Sequence, residues 1–550
     1  MKKVALPLLV VLFSCSLYAT EYIVKLKNAG LTIQSVASTA SLKGFAVKDF
    51  HRPGKLAKVD IQAATKQLEA KQVDALRKRP GVEYVVENIK FHTLEVPNDP
   101  QFNQQWALSK INAPQAWDVT QGSNKVVVAV IDTGSSVTHE DLAANIWTNP
   151  TDGTHGWNFV ENNSDVTDLT SADGNPGHGT HCSGIIGAVG NNGIGITGIN
   201  QSVSIMPVRF LGPDGSGDLL NAAKAIDFAV QNGASIISAS WGAQTDAASA
   251  QPVTDAISRA NDKGVLFVAA ASNDSSDNDT TDVFPANTKL PNMISVAASD
   301  ANDAKPDWSN WGKHTVHLAA PGDNILSTLP NNQYGDLSGT SMATPLVAGL
   351  AALMKSENAA LTPQQIRSIL QTTGTAVQIE SACNCRVDAS AAVNAVAHQQ
   401  LTVVPASASI NVGDVLKFDA FGGQAPYTFA SSDNTIATVA SDGTLQVAKG
   451  GEITVTATDA NGQTAQSRTI YITDASAPAT PPTPPTDPVT PPPTDPVAPP
   501  VLPTPPTDPV TPPGGAQCPI ADPSLCATLC QFEPTLPWCT GSQVSVPAHK

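Results

Sequence analysis

Compact apolar runs of strand length alternate with stretches of helical spacing through the middle of this 550-residue chain. Positions 125–132, 203–210, 234–240, 265–271 and 293–298 are Val/Ile/Ala runs bounded by polar or glycine-containing segments, and each predicts a strand. Between them, 219–231 and 253–263 repeat apolar residues every three to four positions and predict helices. Near-continuous apolar strands are buried on both faces, so the expected fold class is α/β, a mainly parallel sheet with helices on both faces. Upstream, 21–26 and 82–87 are strand-like and 61–79 has helical spacing, which predicts a small α+β unit. From 399 to 474 the pattern changes to short strand-like runs such as 415–420 and 453–456, broken by Ser-Asp, Gly-Gly and Asn-Gly turns, as in a β-sandwich. A Pro/Thr-rich stretch, 475–513, repeats Thr-Asp-Pro-Val three times and reads as an extended spacer before a Cys-rich tail, 514–550.

The first residues change the picture of where the chain works. Met1-Lys2-Lys3, an apolar run over 4–13 and small residues up to Ala19 have the layout of a secretory signal peptide, 1–19, too short to span a bilayer. The alternative is lipid anchoring at Cys15, because Leu12-Phe13-Ser14-Cys15 resembles a lipoprotein box. Of eight cysteines, seven then remain for an oxidising compartment. Cys518, Cys526, Cys530 and Cys539 suit two disulfides of unassigned connectivity, and Cys383 and Cys385 either close a small ring or bind metal weakly, with the disulfide favoured. Cys182 is left as an unpaired thiol, read as a small packing residue in preference to a second nucleophile. A net charge of −17 excludes nucleic acid or an anionic membrane as the main partner.

Candidate chemistry lies in three segments of the central region, Val-Ile-Asp132-Thr-Gly, Gly-His178-Gly-Thr-His and Gly-Thr-Ser341-Met-Ala-Thr-Pro. A serine hydroxyl is a weak nucleophile until a base takes its proton, and the base needs a carboxylate to orient it. Asp132 ends a predicted strand, where sites in open α/β sheets gather. His178 and Ser341 each precede a helical run, 179–189 and 342–355. The order Asp, His, Ser is that of subtilisin. With these motifs the chain resembles the subtilisin-like serine proteases, thermitase-like members in particular, over about 300 residues, 95–398.

That resemblance implies a secreted serine endopeptidase acting on protein or peptide substrates, with 20–94 as an inhibitory and chaperoning propeptide and maturation after Leu94. It implies Asn273 as a side-chain donor to the reaction oxyanion, beside the Ser341 backbone N–H. It also assigns substrate-binding walls to Ser240, Trp241 and Gly242 on one side and Ala271 and Ser272 on the other, with Val283 near the pocket floor. Where the family commonly has Ala-Ala-Gly-Asn this chain has Ala270-Ala271-Ser272-Asn273, which leaves pocket size open; medium apolar side chains are the expected preference. A structural calcium site is carried over onto Asp99, Asp141, Val189, Asn192, Ile194 and Ile196, all hard oxygen donors through carboxylate, amide or backbone carbonyl. The 399–474 module resembles bacterial immunoglobulin-like domains, with a cell-surface or matrix ligand as its expected partner. A monomer is expected. Two rival readings remain at this point, a non-enzymatic surface adhesin on a protease-like scaffold and a processing enzyme of narrow specificity.

Overall fold

The computed structural model describes residues 18–27, 45–63, 66–88, 96–171 and 174–474. The N-terminal module is an antiparallel sheet of β1 (Tyr18–Leu26), β2 (Phe45–His51), β3 (Leu56–Ala63) and β4 (Val82–Glu87) in the order β2-β3-β1-β4. Its helix, Lys66–Arg77, buries Val73 and Leu76 against Val24, Val59 and Val85. The helix expected from 61 starts later. Ala57, Val59 and Ile61 are buried at a two-residue period, so Ile61 completes β3.

The central module is built on nine strands. They are β5 (Gly122–Asp132), β6 (Trp157–Asn158), β7 (Ser202–Arg209), β8 (Ile236–Ala239), β10 (Leu266–Ala270), β12 (Met293–Ser299), β13 (Leu318–Pro321), β16 (Thr375–Ala376) and β17 (Cys385–Arg386). Their order is β16-β17-β13-β12-β10-β8-β5-β7-β6, with every pairing parallel except β16 with β17. Along β5, Val128 and Val130 enter one core while Ala129 and Ile131 enter the other, so the apolar run is explained by burial on both faces. The first core packs the helices His178–Gly187 and Thr340–Glu357, and the second packs Leu219–Gln231 and Gln251–Asp262. All residues from Met342 to Met354 are buried, as befits a central helix that is apolar all round.

Two elements between the sheet and its neighbours matter for the site, β9 (Ala243–Gln244) pairing with β11 (Val283–Phe284), and the hairpin of β14 (Ile325–Leu329) and β15 (Gln333–Leu337). In the C-terminal module, short strands from Thr402 to Thr473 enclose Val403, Phe418, Val455, Ile470 and Ile472. The run expected as one strand at 415–420 is instead irregular until β20 (Asp419–Phe421), and Val415 is 83% exposed. The run at 453–456 is split at Thr454, because β24 (Gly451–Ile453) pairs with β27 (Ile470–Thr473) while β25 (Val455–Thr458) pairs in another sheet. Cys383 is paired with Cys385, and Cys182 is free and buried. Residues 1–17 of the signal segment, the expected boundary at Leu94, the spacer and the four tail cysteines lie outside the described residues. No helix among the described residues is long and apolar enough to cross a membrane.

Candidate active site

Parallel pairing puts the carboxyl ends of β5, β8 and β10 on one edge of the sheet, and the three motifs meet there. Asp132 closes β5 and is fully buried; its Oδ1 accepts from His178 Nδ1 at 2.7 Å and from the Thr133 N–H at 2.7 Å. His178 is the first residue of its helix, preceded by Gly177 at φ 100. A glycine offers no capping side chain, and Asn175 does this work from outside, its Oδ1 accepting from the N–H groups of Gly177 and His178. Buried Asp168 ties the same turn to the end of β5. It accepts from Thr133 Oγ1, Asn175 Nδ2, and both the N–H and hydroxyl of Thr180, while Thr133 Oγ1 accepts from the Gly179 N–H. Burial pulls the His178 pKa down, but the Asp132 charge and hydrogen bond outweigh it and hold the imidazole above the ordinary histidine value.

Ser341 lies in the first turn of the helix Thr340–Glu357. Its hydroxyl donates to the Ser240 carbonyl at 3.2 Å, and among the described residues no hydrogen bond joins it to His178. Its own carbonyl accepts from Ser240 Oγ at 2.8 Å and from Cys182 Sγ at 3.5 Å. Cys182 sits one helical turn after His178, with its sulfur within 4.8 Å of the Asp132 and His178 ligand atoms, so the thiol links that pair to the Ser341 backbone carbonyl. Burial, aided by the Asp132 charge, pushes the Cys182 thiol well up, which leaves it protonated and unreactive.

Asn273, three residues past the end of β10, has its amide orientation fixed. Its Oδ1 accepts from the N–H and hydroxyl of Thr340, both at 2.9 Å, so Nδ2 faces the other way. A methyl placed on Gly339 would stand 3.4 Å from both Asn273 Nδ2 and the Ser341 nitrogen. The two donors therefore flank one point beside Ser341.

The expected walls separate into residues that border this edge and residues that support it. Gly242 approaches Val283, since a methyl on Gly242 would lie 3.7 Å from Val283 Cγ1, and the β9–β11 pairing fixes that approach. Trp241 gives its indole N–H to the Ile131 carbonyl and stacks edge-on against Phe210, 4.8 Å away. Ala271 is fully buried among Ala297, Val316 and Ala319, with its N–H donating to the Val296 carbonyl and its own carbonyl accepting from Asn278 Nδ2. Ser272 takes φ 90, a conformation natural to glycine, and turns its hydroxyl onto Asp274 at 2.6 Å. Sequence reasoning missed an apolar cavity of about 400 Å³ beside Trp241 and Gly242, walled by Phe210, Leu211, Leu219, Val253 and Phe284. Its walls come from separate strands and helices, so no single sequence window reveals it.

The six residues of the expected calcium site gather around one loop. Asp99 accepts from the N–H groups of Asn191 and Asn192, and Asp141 accepts from Asn192 Nδ2 and the Ile196 N–H. The Val189 N–H bonds the Asp141 carbonyl, and the Ile194 N–H bonds Asn192 Oδ1. Burial pushes the Asp141 carboxyl up to about 6, with the nearby Asp99 charge acting in the same direction. Two buried acids converging on one loop suit a hard divalent cation.

The chain is similar to known proteins over its central module. The profile of the Subtilase family matches residues 123–395, and that of the intimin immunoglobulin-like domain matches 411–461. Thermitase of Thermoactinomyces vulgaris is 43% identical over 262 residues, 48% of this chain and 86% of that protein. The thermophilic serine proteinase of Bacillus sp. (strain AK1) is 39% identical over 286 residues, 52% of this chain and 66% of the relative. The halolysin-like extracellular serine protease Nep of Natrialba magadii is 35% identical over 314 residues, 57% and 55% of the two chains. With most of thermitase covered at that identity, the chain belongs to the subtilase family and is a serine endopeptidase.

Proposed function

We propose that Ser341 is the nucleophile, His178 its general base and Asp132 the residue that orients and stabilises the imidazolium. The observation that carries this reading is the 2.7 Å His178–Asp132 hydrogen bond beside a serine flanked by two free-facing donors. Ser341 Oγ turns from the Ser240 carbonyl toward His178, gives up its proton and attacks the scissile carbonyl. The oxyanion forms where Asn273 Nδ2 and the Ser341 N–H converge, at the positive end of the Thr340–Glu357 helix. His178 then returns the proton to the leaving amine, and water repeats the sequence on the acyl-enzyme. Alanine at Ser341, His178 or Asp132 is expected to remove nearly all peptide hydrolysis, with losses far from additive, and alanine at Asn273 to cost about 100 to 1,000-fold in kcat. Near-normal hydrolysis by Ser341→Ala would falsify the assignment.

The same reading gives the other segments their roles. Residues 20–94 act as an inhibitory propeptide removed after Leu94, and the exposed Tyr84 and Val86 on edge strand β4 give it an apolar surface to dock. Residues 1–19 direct secretion, which fits the extracellular relative. Cleavage after Ala19 removes the first two residues of β1 and leaves the rest paired with β3. Calcium held by Asp99, Asp141, Asn192 and the carbonyls of Val189, Ile194 and Ile196 neutralises two buried acids and stabilises the fold. The apolar cavity beside Gly242, with Val283 close by, supports a preference for apolar substrate side chains. Residues 399–474 form the immunoglobulin-like module and 475–513 the spacer to the tail, 514–550.

A further inference from the structure

Where the central and C-terminal modules meet, a cavity of about 250 Å³ is bordered by Arg367 and His317 on one side and by Pro405, Ile410, Leu416 and Tyr471 on the other. The junction is well tied. Arg468 Nε donates to the Gln371 carbonyl, the Ala406 N–H to Ser368 Oγ, and Ser407 Oγ to Gln371 Oε1.

The polar groups of this cavity are unusual in three ways. Arg367 is 8% exposed, its Nε is buried without a hydrogen-bond partner, and among the described residues no carboxylate pairs with it. His317 supplies the second oddity. Its Nδ1 accepts from the Ser295 N–H at 2.9 Å, so the ring hydrogen is on Nε2, yet Nε2 faces Arg367 Nη1 at 3.3 Å. Arg367 Nη1 donates to the Met293 carbonyl at 3.0 Å, so it cannot serve the ring, and His317 Nε2–H, like Arg367 Nε, is left opposite a donor or without an acceptor. Third, Thr288 Oγ1 is also buried and unpartnered on the same wall. Lys289 stands exposed at the rim, and the lining contains no aspartate or glutamate although the whole chain carries a charge of −17. Burial and the Arg367 charge keep His317 neutral, while Arg367, lowered by burial to about 10, stays charged at neutral pH.

We propose that this cavity binds a carboxylate carried on a small apolar group, with Arg367 and His317 Nε2–H as its principal donors. The carboxylate supplies the acceptor that Arg367 Nε and His317 Nε2–H lack and a counter-charge for a buried cation, and Thr288 Oγ1 and Lys289 complete its surroundings. Leu290, Pro291, Ile410 and Leu416 receive the apolar part. Since the walls come from both modules, the ligand fastens one to the other. The carboxylate comes from the C-terminus of a peptide or from a free small acid.

The test is calorimetric titration of the full-length Ser341→Ala protein with N-acetylleucine, its uncharged amide, and acetate. N-acetylleucine is expected to bind at least about tenfold tighter than the amide, the worth of a hydrogen bond to a charged group. Arg367→Met is expected to abolish binding. Lys289→Glu, at an exposed position that cannot disturb the core, is expected to weaken it, and decides the matter alone if Arg367→Met fails to fold. Acetate binding as tightly as N-acetylleucine supports the carboxylate site and identifies a free small acid as the source, whereas much weaker acetate binding supports a peptide end. Absence of N-acetylleucine binding, equal affinity for acid and amide, or binding that ignores both substitutions, as it would in the substrate cleft, overturns the proposal.

Discussion

In the proposed mechanism His178 sets the pH behaviour of the site. Its pKa is raised, so the base is protonated and idle until pH climbs above the ordinary value of 6.5, and the acid limb of kcat/KM is predicted to lie above that value. Asp132→Asn removes the charge that raises it, and is predicted to shift the limb downward while cutting kcat by about 10,000-fold. The stability contribution runs the opposite way to activity. A raised folded pKa favours the protonated fold, so this contribution is full below 6.5 and fades as pH rises through the folded value. A pH–rate profile and a pH–melting series on the same protein check both signs. Ser272 is the other residue with a sharp expectation. At φ 90 a β-branched side chain is strained, so Ser272→Val is predicted to destabilise by about 1–3 kcal/mol while Ser272→Gly is tolerated, as chemical denaturation would measure. Asp132, His178, Ser341 and Asn273 were legible as candidates because each sits in a distinctive local motif. The packing of Ala271 and the turn of Ser272 onto Asp274 were not, since both depend on segments distant in sequence or on a backbone angle.

At the scale of elements, the helix Leu219–Gln231 coincides with its expected span. Its buried Ala222, Ala225, Ile226 and Ala229 keep helical spacing and Asp218 caps its first turn. Short strands of the C-terminal module were read less well, because an apolar run there can cross between sheets, as at Thr454. Asp168 and Asn175 escaped notice altogether. They lie in an irregular segment with no periodicity, and their importance is the way they fasten the His178 turn to β5. Asp168→Ala leaves four buried donor groups without their acceptor, and a loss of about 3 kcal/mol in unfolding free energy is predicted. Because the imidazole would lose its fixed placement, kcat is predicted to fall more than KM rises. Equal stability and unchanged kcat in this variant would show the turn to be held by other contacts.

For the whole molecule, module order was legible from shifts of pattern and composition, whereas the junction cavity was not, because Arg367, Pro405 and Tyr471 come from separate stretches of chain. The calcium proposal acts at this scale. An ion that binds only the folded state adds about 2.7 kcal/mol at a hundredfold excess over its Kd. Chelation is therefore predicted to lower Tm more than initial activity at mild temperature, and an unchanged Tm after metal stripping would rule the site out. The central claim is that one serine performs the chemistry, and it is most directly tested by reacting the mature enzyme with a fluorophosphonate and locating the adduct by mass spectrometry. The account predicts a single adduct on Ser341, loss of activity in proportion to labelling, and no labelling of Ser341→Ala. An active enzyme that resists the reagent, or an adduct on another residue such as Cys182, would contradict it.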